Sequence, residues 1–126
     1  MAAAALLAAI AWSSSAVWAA PRGDAGRGEE IYSRCLACHA LAFDRVGPRH
    51  CGLFGRHAGS VQGFAYSPAM KRSKIVWSEK TLDRFLANPP RAIPGTTMTY
   101  AGIADASERA DLIGFLKAAG ESSACR

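Results

Sequence analysis

The feature that most limits what this chain can fold into is the pentapeptide Cys35-Leu36-Ala37-Cys38-His39. Two Cys separated by two residues and followed at once by His is the attachment pattern for a c-type haem. Two thiols at that spacing reach the two vinyl groups along one porphyrin edge, and the adjacent imidazole then lies under the iron as an axial ligand. Three other readings compete. A structural zinc site needs a second ligand pair, and Cys51, Cys125, His50 and His57 do not supply one at a suitable spacing. A thiol–disulfide redox motif expects a preceding strand in a parallel sheet, and no strand-length alternation is visible. A structural disulfide within the motif is weaker still.

A chain of 126 residues has room for one domain. The helical segments it offers are few and short. One opens at Asp24, a capping residue, and runs towards Cys35 with Ile31 and Tyr32 as its apolar side chains. A second starts at Ser78, sets Leu82, Phe85 and Leu86 on one face, and is expected to stop at Pro89-Pro90. A third begins near Asp105 or Ser107, with Asp105 at capping-box spacing to Glu108; it presents Leu112, Ile113, Phe115 and Leu116, and is expected to end at Gly120. A short extra helix fits Ser67-Pro68, with Ser as cap and Pro at the first position. Gly- and Pro-rich loops lie between them. So small a set of helices encloses a small core, which suggests that something other than side chains fills the middle.

The first 20 residues hold 17 apolar ones, including an unbroken run from Ala2 to Trp12. Crossing a bilayer takes about 20 such residues, so an 11-residue run reads instead as the centre of a secretory signal. Val17-Trp18-Ala19 gives a small residue at the cleavage position, so residues 1–19 are expected to be a signal peptide and 20–126 a single exported domain. No Lys or Arg precedes the run, and an uncleaved short anchor is the competing reading. The formal net charge is +5 and is unevenly spread: residues 45–91 carry nine cations against Glu79 and Asp83. A basic middle suits an acidic protein partner, anionic lipid or nucleic acid, and export argues against nucleic acid.

From the pentapeptide outwards the chain resembles the class I cytochromes c, in the mitochondrial-type branch that also occurs in bacterial periplasms. The likeness spans residues 23–118. It is carried in order by Gly26-Arg27-Gly28-Glu29-Glu30-Ile31-Tyr32, Gly47-Pro48, Gly52-Leu53-Phe54-Gly55-Arg56, Gly63-Phe64-Ala65-Tyr66-Ser67, Ile75-Val76-Trp77, Asn88-Pro89, Ile93-Pro94-Gly95-Thr96-Thr97-Met98 and Glu108 to Lys117. The resemblance implies an all-α, haem-wrapping fold with three main helices, a short extra helix and Gly/Pro-rich loops. It implies one haem c per chain, held covalently by Cys35 and Cys38, with His39 and Met98 as axial ligands. By residue chemistry alone Met70, His50 and His57 compete for the sixth position. The family pattern further implies that the Pro48 carbonyl accepts the His39 proton, and that Arg56, Tyr66, Trp77 and Thr96 surround the haem propionates.

The departures are specific. His50 and Cys51 stand where much of the family has an aliphatic residue and then His. Phe85 replaces a Tyr, Met70 an Asn and Thr97 a Lys. Cys51 and Cys125 remain after haem attachment, and in the family's fold they come close enough for a disulfide; two separate thiols are the alternative. The expected function is one-electron transfer by a monomeric carrier. It shuttles in the periplasm between redox partners, whether a membrane cytochrome complex, an oxidase, a reductase or a dehydrogenase, with no nucleic acid and no stable membrane insertion. The competing reading is a haem enzyme of peroxidase type or a haem subunit of a dehydrogenase. Peroxidase chemistry needs an open sixth position with a distal acid–base pair, and Met98 closes that position.

Overall fold

The computed structural model describes residues 23–126; the expected signal segment lies outside the described residues. Asp24 turns the chain into α1, Ala25–Tyr32, its carboxylate accepting from the Arg27 N–H at 3.1 Å. A single 3-10 turn, Ser33–Cys35, then carries the chain into the pentapeptide. Long irregular stretches follow, interrupted by α2, Pro68–Arg72, with Ser67 as cap and Pro at its start as expected. The helix α3, Glu79–Ala87, begins in a capping box: Ser78 Oγ accepts from the Thr81 N–H and Thr81 Oγ1 from the Ser78 N–H. Leu82, Phe85 and Leu86 are buried on its inner face.

Pro89-Pro90 ends α3 but also opens a further helix, α4, Pro89–Ala92. Proline is disallowed inside a helix and well suited to its first turn, and Asn88 caps the new start by accepting from the Arg91 N–H. The last helix, α5, runs Ala106–Glu121, past the Gly120 expected to end it; Ser122 is its cap. Asp105 caps α5, but Glu108 does not return the bond that a capping box requires. Its carboxylate is engaged across the molecule by both terminal nitrogens of Arg34. A second 3-10 turn, Ser123–Cys125, closes the chain. Among the described residues there is no strand, only an isolated antiparallel bridge between His57 and Val76.

The frame of the molecule is the crossing of α1 with α5. A Cβ at Gly28 would overlap the Asp111 carbonyl oxygen and the Phe115 side chain, so only glycine lets the two backbones approach this closely. Gly26 faces nothing on α5. Asp111, 5% exposed, fixes the same seam by accepting from the Asp24 N–H at 2.6 Å and pairing with Arg27 at 3.0 Å. The core continues from Ile31 and Tyr32 through Leu112, Ile113 and Leu116 to Leu82, Phe85 and Trp77.

Candidate functional site

The pentapeptide folds as a tight turn, with the His39 and Cys38 N–H groups both donating to the Cys35 carbonyl at 2.8 and 3.1 Å. Cys38 is exposed, Cys35 is half-buried, and neither is in a disulfide. Burial pushes the Cys35 thiol above its usual pKa, which keeps it protonated rather than thiolate near neutral pH.

His39 is buried at 8% exposure. Its Nδ1 lies 2.8 Å from the Pro48 carbonyl oxygen. A carbonyl can only accept, so Nδ1 carries the proton and Nε2 is left with a lone pair, the tautomer that a metal ligand needs. Burial lowers the His39 pKa, and the bond to Pro48 works against that. The backbone at Gly47 presses on the same ring: a Cβ there would overlap Cε1, Nδ1 and Nε2. The Gly47 N–H in turn donates to the Cys38 carbonyl at 2.7 Å, tying the slot back to the attachment turn.

His50, noted in the sequence as a competing ligand and as a departure from the family pattern, stacks on His39 with ring centroids 4.3 Å apart and 22° between planes. It therefore sits beside the first ligand rather than across from it. No sequence signal pointed to this contact, since it depends on how the loop between His39 and His50 closes. His57 is exposed, its backbone bridged to Val76. Met70 is enclosed in the core on α2. Met98 is half-buried against that core on a segment without regular structure, its N–H donating to Thr96 Oγ1 at 3.2 Å.

The residues expected at the carboxylates are brought together in part. Trp77 is buried, and its backbone N–H donates to the Arg56 carbonyl at 2.9 Å, which joins the two segments. The Arg56 guanidinium reaches inward, donating to the carbonyls of Cys51 at 3.1 Å and Arg49 at 2.9 Å. Its Nε is buried without a partner. A buried N–H costs free energy until something accepts from it, and a carboxylate of a bound group is the acceptor this cation would take. Tyr66 Oη accepts from the Val61 N–H at 3.1 Å and keeps its own proton to donate. Thr96 does the same beneath Met98.

Cys51 and Cys125 are joined in the structure, with sulfurs 1.99 Å and Cα atoms 5.3 Å apart. Among the described residues no three His, Cys, Asp or Glu side chains gather as a cage for a bare metal ion. The donor set is instead a lone-pair imidazole, two thiols on one turn, a thioether and an orphaned guanidinium N–H. That set fits a porphyrin better than an ion.

Comparison with known proteins points the same way. The family model described as Cytochrome c matches residues 25–120. Cytochrome c2 of Blastochloris viridis is 44% identical over 97 residues, covering 75% of this chain and 76% of that protein. Cytochrome c2 of Rhodomicrobium vannielii is 44% identical over 112 residues, covering 86% and 87%. Among solved structures, cytochrome cH from Methylobacterium extorquens aligns with a TM-score of 0.74 at 39% identity, over 76% of this chain and 99% of that one.

Proposed function

The chain belongs to the cytochrome c family, as a class I cytochrome c with covalently bound haem and an electron-transfer rather than an enzymatic role, and on that premise we propose a periplasmic one-electron carrier whose iron ligands are His39 and Met98. The haem supplies one iron that alternates between ferric and ferrous states. Everything else is done by side chains. Cys35 and Cys38 would hold the haem covalently, and Cys38 is exposed, so the attachment turn lies where a redox partner can approach. His39 offers Nε2, with Pro48 holding the other ring proton and so raising the ligand's basicity. Met98 offers a soft thioether, which favours ferrous iron and raises the potential. Arg56, Tyr66, Trp77 and Thr96 receive the propionates.

The observation that carries this reading is the His39 tautomer fixed by the Pro48 carbonyl one turn from two unpaired thiols. Residues 1–19 would direct export and be removed, leaving 20–126 as the mature carrier. Among the described residues no helix is long and apolar enough to cross a membrane. The partners are redox proteins, a membrane cytochrome complex on one side and an oxidase, reductase or dehydrogenase on the other.

Optical redox titration of the exported protein tests the assignment. A single one-electron transition is expected, with haem retained through acid–organic extraction. Met98→Ala should open the sixth position to small ligands, lower the potential and abolish the weak long-wavelength iron–sulfur band, while Met70→Ala keeps all three. The reverse pattern would move the ligand to Met70.

A further inference from the structure

His39 is confined on more sides than ligation requires. Gly47 lies against the ring, Pro48 holds Nδ1, and His50 covers a face at a centroid distance of 4.3 Å. His50 is itself clamped. Its backbone N–H is shared between the Ala40 and Leu41 carbonyls at 3.2 and 3.1 Å. Its Nδ1 stands 2.9 Å from Tyr32 Oη, in a hydrogen bond whose direction the His50 tautomer sets. Tyr32 packs on Phe115 of α5 with centroids 5.1 Å apart, and Cys51, the next residue, is bridged to Cys125 beyond the end of α5. An unbroken series of contacts thus runs from the α1–α5 frame to the candidate ligand.

We propose that His50 is a positioning residue for the iron ligand: its ring, pinned by Tyr32, fixes the rotation of the His39 imidazole and keeps water off that face. The proposal rests on His39 being an axial ligand. An aliphatic residue at 50 would fill the space but could neither bond Tyr32 nor impose a plane on its neighbour. Rotation matters because an axial imidazole donates through an orbital perpendicular to its ring, so turning the ring changes which iron orbital it meets. Shielding matters because water beside the ligand stabilises the more highly charged ferric state. Removing the groups that orient metal-bound histidines typically costs about 10–100-fold in metal affinity or activity.

The test compares the wild-type holoprotein with His50→Leu, His50→Phe and Tyr32→Phe, by the electron paramagnetic resonance g-values of the ferric form and by equilibrium with a fixed redox mediator. His50→Leu should change the g-value spread and move the equilibrium about tenfold towards ferric iron, ~59 mV for one electron. His50→Phe, which keeps a flat ring over His39, should recover most of both. Tyr32→Phe should shift both in the same direction by less. Wild-type g-values and potential in His50→Leu would overturn the proposal, as would equal displacement in His50→Leu and His50→Phe. If His50→Leu yields no holoprotein, unchanged g-values and potential in Tyr32→Phe overturn it on their own. A wild-type ferric spectrum that is not low-spin would remove the His39 ligation itself, and the proposal with it.

Discussion

The two sides of the candidate iron site are held by different means. On the His39 side, residues 36–56 form almost no regular structure yet are densely cross-linked. Arg45 donates to the Leu36 carbonyl, Arg49 to Asp44, Arg56 to two further carbonyls, and Cys51 is bridged to Cys125. On the Met98 side, between the turn that Thr96 closes on Ile93 and the Ile103 N–H bonded to Leu86, the Met98 N–H is held by the Thr96 side chain. Gly95 and Gly102, both at positive φ, mark the ends of that segment. The contrast shows a site with one face set by polar contacts within the chain and another set mainly by packing. If Met98 is the second ligand as proposed, the first side should be the more rigid seat and the second the one that yields to an added ligand.

The largest effect should come from cutting the anchor of the rigid side. Cys125→Ser releases a loop whose closure spans a sequence separation of 74. The chain-entropy account assigns such a loop about 4 kcal/mol, an upper figure. For a domain near 100 residues that corresponds to a fall in Tm of very roughly 15–30 °C, measured on the holoprotein by thermal melting with and without reductant. Loss of reductant sensitivity in the variant is expected. A melting point unmoved by either change would show that the bridge does not anchor the seat.

Next comes the seam between frame and seat. Burial pushes Tyr32 up to about 12, and the smaller rise that a Cys35 thiolate adds is lost once that sulfur is bound to haem. The unfolded chain loses this proton near pH 10 and the folded one near 12, so between those values the folded state binds more protons. Stability is then full below about pH 10, falls as pH rises towards 12 and levels off above it, by at most about 2–3 kcal/mol in all. Denaturant unfolding across pH 9–12 should show this slope in the wild type and a shallower one in Tyr32→Phe. Equal slopes would mean that the hydroxyl is not sequestered at the seam.

How far this architecture is legible in the sequence follows the range of the forces involved. Asp24, Ser67, Ser78 and Asp105 were readable as caps because a cap is satisfied within three residues. Pro89-Pro90 ends α3 as expected, and the short α4 that it also opens was not expected, because the same residue type suits a helix start once Asn88 caps it. Glu108 had the spacing of a capping box, but Arg34, 74 positions away, took its carboxylate. The Pro48–His39 bond was expected from family resemblance, and the geometry shows why it recurs: it fixes the tautomer. The stack of His50 on His39 was not legible at all, because it depends on loop closure and on Tyr32 arriving from α1.

The smallest effect belongs to the looser face. Thr96→Val keeps the shape of the side chain and removes the acceptor for the Met98 N–H. A neutral hydrogen bond of this kind contributes about 0.5–1.5 kcal/mol, too little to move Tm far when the His39 side is intact. Its consequence is local. The free energy that holds the segment closed drops by about 1 kcal/mol, so the population with Met98 displaced rises roughly fivefold. An added ligand such as imidazole should therefore bind the ferric variant about fivefold more tightly, with the unfolding midpoint shifted by only a few degrees. Thr96→Ser, which retains the oxygen, should behave as the wild type. That control separates the hydrogen bond from the methyl group's packing. If Thr96→Val melted far earlier while its ligand affinity stayed at the wild-type level, the segment over Met98 would be part of the rigid seat, and the two faces would not differ in the way proposed.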